Sequence, residues 1–471
     1  MKKTKIVATI GPASANYETL KSMIIEGVNV CRLNFSHGSH DDHLESIRII
    51  REINKELGYH IAILADLQGP KIRIGEVENN GVELVDGAEI IITTNECIGT
   101  AQKVYLNYLE FPKDVAVDDQ VLMDDGKLRL QVKSTNQKDE VVCTVVNGGT
   151  LSSKKGVNLP NTKISLPSLT KKDRLDLDFA LAQDVDWIGL SFVRSSQDIL
   201  ELKELISTKN NHAKIIAKIE KPEAIDDIDA IIKITDGLMV ARGDLGVEVP
   251  MQKVPNLQKM MLKKCRKYAK PTIVATQMME SMISNFTPTR AEVNDVANAV
   301  LDGSDAVMLS GETSVGKYPI EVIKTMTKIV KEVEKNDEIY HKEELPEQNQ
   351  DRFITDSICF NATRLAKRVD ATGIITMTFS GYTAYKISSQ RPKSDTFVFT
   401  ENRKILSQLN LVWGVQGYFY DKMESTDQTI LDSQNILQDL GLISPGELVI
   451  NIASVPIGEK GKSNMIKLSY V

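Results

Sequence analysis

The stretch AKIIAKIEKPEAI, residues 213–225, decides the fold. Ile215, Ile216, Ala217 and Ile219 read as a buried strand, and an amphipathic helical pattern follows at 222–233. Inside the apolar run sit Lys218 and Glu220, two residues apart and so on one face of the strand. A buried ammonium and a buried carboxylate each need a partner or they lose their charge. The strand is therefore expected to end at a polar site.

The same unit, a short apolar run and then a helical pattern, recurs along the chain. Strands are predicted at KIVATI, VNVCRLNF, HIAILAD, VDWIGLSF, AKIIAKIE, GLMVARGD, PTIVATQ and DAVMLSG. Helices are predicted at 17–26, 40–57, 195–208, 222–233, 252–268, 290–301 and 319–335. After the third strand the pattern breaks. Residues 70–166 alternate in short runs such as GVELVDGAEIIITT and KLRLQVKS, which is antiparallel sheet chemistry. The displaced third helix is predicted at 171–183. Eight such units imply an α/β fold, a (β/α)8 TIM barrel over 1–69 and 167–335 with an inserted all-β barrel lid over 70–166. The open doubly wound alternative lacks a GxGxxG after its first strand. A polar linker, KEELPEQNQDR, precedes a C-terminal α/β domain over 352–471.

Chemistry in such a barrel gathers at the C-terminal ends of the strands. There the sequence places Arg32, Asn34 and Ser36 on one face of the second strand, and Asp66 at the end of the third. Ser191 and Arg194 follow from the fourth, Lys218 and Glu220 from the fifth, and Arg242 and Asp244 from the sixth. Thr276 comes from the seventh, and Ser310 and Glu312 from the eighth. Glu220 and Asp244 offer hard oxygen ligands that suit Mg2+, with water and substrate completing the shell. Lys218 and Arg32 then face an anion. This is the layout for phosphoryl transfer, although a lone Lys–Glu pair would by itself be read as a structural ion pair.

Bulk properties narrow the classes. With 471 residues, 42% hydrophobic and 26% charged, the chain is an ordinary multidomain globular protein. A net charge of −7 gives no overall pull toward nucleic acid. No run is long enough to span a membrane, and the N-terminus reads as a strand, not a signal peptide. Five scattered cysteines without CxxC fit a reducing cytoplasm.

The motifs TIGPAS, RLNFSHG, GPKIRIG, KKGVNLP, IIAKIEKPEAI, MVARGDLGVEVP, ATQMMESM, PTRAEVNDVANAV and DAVMLSGETSVGKYP follow one another in an order that resembles the pyruvate kinase family over essentially the whole chain. The resemblance implies conversion of phosphoenolpyruvate and ADP to pyruvate and ATP. It implies Glu220 and Asp244 as ligands of Mg2+ or Mn2+, Lys218 and Arg32 on the transferring phosphoryl group, and Thr276 beside the substrate near proton delivery. The backbone amides of Arg242, Gly243 and Asp244 would meet the substrate carboxylate. Asn34, His37, Arg73 and Lys155 would lie near the nucleotide. A homotetramer is implied as well. Two rivals stand beside it: a Mg-dependent pyruvate or oxaloacetate lyase of barrel fold, and a non-catalytic regulatory relative.

One departure has consequences. Many family members read Asp-Thr-Lys-Gly-Pro-Glu where this chain reads DLQGPK, residues 66–71, and they require K+. The chain resembles the K+-independent subset. Asn34, Ser36 and Asp66 remain as part of a K+ cradle, and Lys71 is expected to supply the missing cation as a fixed ammonium.

His37, His40 and His43 in SHGSHDDH drift around a helix and make a poor zinc site, so His40 and His43 are expected to be exposed helix polarity. KKCRK at 263–267 reads as a solvated helix face. GEKGKS at 458–463 is a poor P-loop because a strand, not a helix, follows. The loop in TMTFSGYTAYK, with Thr378, Ser380 and Thr383, suits a phosphate and is similar to the family's sugar-phosphate effector site, although such residues also cap helices. Phe379 stands where some members carry an effector-contacting Lys, and ASVPIGEKG lacks the Trp and Arg of some fructose-bisphosphate binders.

Overall fold

The computed structural model describes residues 2–160, 162–348, 351–422, 425–456 and 463–471. Eight parallel strands close into a barrel: β1 Lys5–Thr9, β2 Val30–Asn34, β3 Ala62–Asp66, β4 Trp187–Leu190, β5 Lys214–Ile219, β6 Gly237–Ala241, β7 Thr272–Ala275 and β8 Ala306–Leu309. Each pairs with its sequence neighbour, and β8 returns to β1 through Lys5↔Ala306. The strands are buried on both faces, which explains their unbroken apolar runs. Val7, Val30, Leu64, Trp187, Ile216, Met239, Ile273 and Met308 fill the interior, and the other face packs on the helices.

Local signals set the helix starts. Capping boxes at Ser39/Asp42, Thr170/Asp173, Ser195/Asp198 and Thr289/Glu292 satisfy N-terminal amides that would otherwise lack acceptors. The predicted helix at 222–233 is divided in two, Pro222–Asp226 and Ile228–Ile234.

The insertion has its own core around Ile90, Ile92, Phe111, Leu130, Val141 and Cys143. Its strands form a six-stranded sheet and a two-stranded sheet, with short helical turns at Glu78–Asn80 and Phe111–Asp114. The pairing is mostly antiparallel; Glu89–Thr93 with Lys103–Tyr105 is a parallel exception.

Both chain crossings into the insertion are gripped. The buried Asp173 accepts Gly69 N–H on Oδ1 (3.0 Å) and Thr170 N–H on Oδ2 (2.9 Å). Arg194, expected on the rim, instead donates to the carbonyls of Ile164 (2.5 Å) and Leu166 (2.6 Å) on the returning segment. Asn158 of the insertion donates to Glu248, which also pairs with Lys221 at 2.6 Å.

The C-terminal sheet has order β11-β10-β9-β12-β13: β9 Gly373–Met377, β10 Asp395–Thr400, β11 Val415–Phe419, β12 Leu448–Ala453 and β13 Met465–Tyr470, with β13 antiparallel. It is fixed to the N-terminal end of the barrel by Arg391–Asp305 (3.0 Å) and Lys3–Asp395 (2.8 Å), and Leu411 joins the barrel's interior cluster. Arg266 departs from the expected solvated KKCRK face. Its side chain is 12% exposed and turns toward Glu344 of the linker. Among the described residues, no helix is long and apolar enough to cross a membrane.

Candidate active site

The charges at the end of β5 find partners from β3 and from the residues that follow β4. Lys218 Nζ lies 3.0 Å from Glu220 Oε1, 3.1 Å from Asp66 Oδ1 and 2.6 Å from Ser191 Oγ. Asp66 Oδ2 in turn accepts from Arg32 Nε at 2.6 Å, and Arg32 Nη1 donates to Thr9 Oγ1 at 2.9 Å. β1 to β5 thus contribute to one buried charge chain. Burial works against the Lys218 ammonium, but the carboxylates of Asp66 and Glu220 outweigh it and raise its pKa. Lys218 is held as a cation.

Glu220 is pulled the other way. Burial pushes its pKa up to about 7; Lys218 opposes this and the nearby Asp244 carboxylate adds to it. Its Oε2 accepts the Phe192 amide at 2.7 Å. Phe192 reaches that position with φ +53°, unusual for a bulky residue. Two buried or half-buried carboxylates in mutual repulsion, both hard oxygen donors, make a set that a divalent cation would relieve. Among the described residues no group of three or more His, Cys, Asp and Glu side chains is placed to hold a metal. A cation here would complete its shell with substrate and water.

Asp244 sits in the short helix Arg242–Glu248 after β6. The Arg242 side chain is bidentate to Asp295 (2.6 and 2.7 Å) and bonded to the Thr276 carbonyl (2.8 Å). Gly243 N–H donates to Thr276 Oγ1 at 2.7 Å. Thr276 has φ +71°, a strained conformation for a β-branched residue. A cleft of about 1240 Å3 between insertion and barrel is lined by Lys71, Asp125, Arg129, Arg242, Gly243 and Asp244.

A second group of bases stands beside β2. Burial, then Arg73, Lys71 and Arg32 in that order, hold the His37 imidazole below its usual pKa. Arg73 and Lys71 belong to the insertion, so cations from the insertion and from β2 gather around His37. Arg73 also donates to the Lys154 carbonyl (3.1 Å), and Lys155 pairs with Asp124 (2.7 Å). Asn34 Oδ1 accepts Ser36 N–H at 3.2 Å. Lys71 has no ion-pair partner among the described residues.

Comparison with known proteins settles the family. Residues 1–323 match the family described as pyruvate kinase, barrel domain, and 356–469 match pyruvate kinase, alpha/beta domain. The chain belongs to the pyruvate kinase family. Over its full length it is 44% identical to a pyruvate kinase of Geobacillus stearothermophilus, covering 80% of that protein. It is 43% identical to one of Staphylococcus aureus, covering 81%. A crystal structure of a pyruvate kinase from Cryptosporidium parvum superposes with TM-score 0.93 at 37% identity, covering all of this chain and 96% of that one.

Not every polar residue expected at the pyruvate kinase rim serves a cleft. Buried Glu312 accepts the amides of Met279 (3.2 Å) and Ser310 (2.7 Å), tying the loops after β7 and β8. His43 is buried, contrary to expectation, and bonds the His37 carbonyl at 3.1 Å; His40 pairs with Asp176 at 2.8 Å. In the C-terminal unit Thr383 is buried against Ser463 (3.2 Å), while Ser380 is exposed and Thr378 Oγ1 accepts Gly381 N–H. Most of GEKGKS and the end of ASVPIGEKG lie outside the described residues. Asp66 is the residue whose importance sequence reasoning underrated: it is the shared counter-ion of Arg32 and Lys218.

Proposed function

We propose that the β2–β7 rim is where this chain carries out its family's reaction, transfer of the phosphoryl group of phosphoenolpyruvate to ADP with release of pyruvate and ATP. The chain is a phosphotransferase of that family. The observation that carries the assignment is the buried Arg32–Asp66–Lys218–Glu220 chain, which holds two cations and a carboxylate within electrostatic reach of Asp244, itself on the wall of the cleft.

In this reading the bond between phosphorus and the enol oxygen breaks as a β-phosphate oxygen of ADP attacks. The enol oxygen keeps the electron pair, and C3 then takes a proton to give pyruvate. Lys218 and Arg32 stabilise the charge spreading over the phosphoryl group and the enolate. Arg242, Gly243 and Asp244 offer amides to the substrate carboxylate, and the Thr276 hydroxyl would exchange Gly243 N–H for substrate or for a water that delivers the proton. Glu220 and Asp244 would hold Mg2+ or Mn2+, which supplies a Lewis acid. Asn34, His37, Arg73 and Lys155 take the nucleotide, so Lys155 would leave Asp124 as the insertion closes and excludes water. We assign 1–69 and 167–335 to the barrel, 70–166 to the lid and 352–471 to the C-terminal domain. K+ independence through Lys71, a sugar-phosphate effector at Thr378, Ser380 and Thr383, a homotetramer and a cytoplasmic location belong to the same proposal.

The test is the rate of pyruvate formation from phosphoenolpyruvate and ADP with Mg2+, for the parent and for Lys218→Met. Turnover lost in the variant supports the assignment; equal turnover in both overturns it. The cations Lys71 and Arg73 gathered around His37, beside the phosphoryl-facing Arg32, favour a nucleotide over the lyase reading, which has no polyphosphate to place there.

A further inference from the structure

The loop between β2 and helix His40–Leu57 carries His37, and β2 ends in Asn34; both are assigned above to the nucleotide. The loop is held from within by Ser36 N–H on Asn34 Oδ1 (3.2 Å) and His37 N–H on the Asn34 carbonyl (3.1 Å), and from outside by two further donors. Lys172 Nζ donates to the Phe35 carbonyl at 2.6 Å, and His43 Nε2 bonds the His37 carbonyl at 3.1 Å. Lys172 is held in turn by Asp176 Oδ2 (2.6 Å), one turn along helix Lys171–Ala182. The other oxygen of Asp176, whose side chain is 5% exposed, faces His40 Nε2 at 2.8 Å. The rings lock the same parts together: Phe35 lies 4.3 Å from His43, and His40 stacks on Phe179 at 4.4 Å. Two carbonyls, two residues apart, are thus clamped by donors from two different helices.

The clamp belongs to the site without lining it. His43 is buried, and burial keeps its imidazole below the usual pKa, so the neutral ring with hydrogen on Nε2 is the form that serves the carbonyl. Asn34 is also held by its strand pairing to Asp66, so loss of either donor is expected to shift chiefly the peptides of Phe35 to His37, and with them the His37 side chain and the orientation of the Asn34 amide.

We propose that Lys172, Asp176, His40 and His43 are positioning residues for ADP, which hold the loop after β2 in the conformation that presents Asn34 and His37 to the nucleotide. The inference rests on the nucleotide reading of those two residues.

The test is a steady-state comparison of KM for ADP and KM for phosphoenolpyruvate in Lys172→Met, His43→Ala and His43→Gln, with Asn34→Ala and His37→Ala as reference variants. Misplacement of a binding group by about 1 Å can cost up to roughly 100-fold, so a rise of about 3- to 30-fold in KM for ADP is expected in Lys172→Met and His43→Ala. KM for phosphoenolpyruvate stays within about twofold by the same logic. His43→Gln, whose side-chain amide can donate to the same carbonyl, recovers most of the loss. Lys172 is half exposed, so its variant keeps the test alive if His43→Ala fails to fold. If the reference variants raise KM for ADP while Lys172→Met does not, the clamp is overturned. If the reference variants leave KM for ADP unchanged, the nucleotide reading fails and takes the clamp with it. An equal rise in both KM values marks a structural role only and also overturns the proposal.

Discussion

The ammonium of Lys218 lies 3.0 Å from Oε1 of Glu220, the residue that directly follows the same barrel strand. Lys218→Met removes the ammonium and leaves Glu220 buried without its counter-charge. Turnover is expected to fall by about 100- to 1000-fold, the usual loss for a donor aimed at transition-state charge. Stability falls too, by about 3 kcal/mol or more, because a buried pair has lost one partner. Glu220→Gln separates the two effects. It removes a carboxylate that burial already disfavours, so the fold is little harmed, while half-maximal activity needs about tenfold more Mg2+ or beyond. Metal titration of the rate, with urea unfolding in parallel, checks both.

Thr276 holds the Gly243 amide from a left-handed backbone position. Its strain is on the order of 1–3 kcal/mol. Thr276→Gly relieves the strain and adds unfolded-chain entropy, so its stability is expected to equal or exceed the parent by about 1 kcal/mol at most. Thr276→Ala keeps the strain and shows no gain. Both lose the hydroxyl, and exchange of pyruvate methyl hydrogens with solvent falls more than phosphoryl transfer does.

Asp186 gives a pH dependence outside the site. Burial pushes its carboxyl up to about 7, against the Ile63 amide it accepts from at 2.7 Å. From its ordinary value near 3.8 up to about 7 the folded protein holds a proton that the unfolded chain has released. Stability from this group is therefore full at low pH and is lost as pH rises through that window. Asp186→Asn keeps an acceptor for Ile63 and removes the slope. Melting temperatures of parent and variant are expected to agree best near pH 4 and to diverge in the variant's favour near pH 8.

Lys71 lines the cleft and belongs to the cationic group around His37. Initial rates in tetramethylammonium buffer are expected to reach most of the maximum without K+. Lys71→Glu replaces the fixed ammonium by a carboxylate, so its rate should rise several-fold on adding KCl. Strong K+ activation of the parent would sink the idea.

Much of this was legible in the sequence because the barrel repeats a local pattern. A buried parallel strand must be apolar throughout, so Lys218 and Glu220 announced themselves as exceptions. Periodicity also held the signal for His43, which was missed. It lies four and seven residues before Ile47 and Ile50, on the buried stripe of its helix. Other features had no local signature. Arg266 finds Glu344 across 78 residues, and Asp66 meets Arg32 and Lys218 only once the barrel closes. The left-handed conformations of Phe192 and Thr276 are invisible in sequence, since glycine is what usually marks such positions.

Asp173 holds Gly69 and Thr170 on one carboxylate, at the two points where the chain leaves and rejoins the barrel. The entropy of closing a loop grows only with the logarithm of its length, about 0.6 kcal/mol per doubling. With its two ends pinned side by side, the excursion between them can change length and content at small cost to the scaffold. The cover over the cleft is in this sense a module hung on the barrel at that one carboxylate.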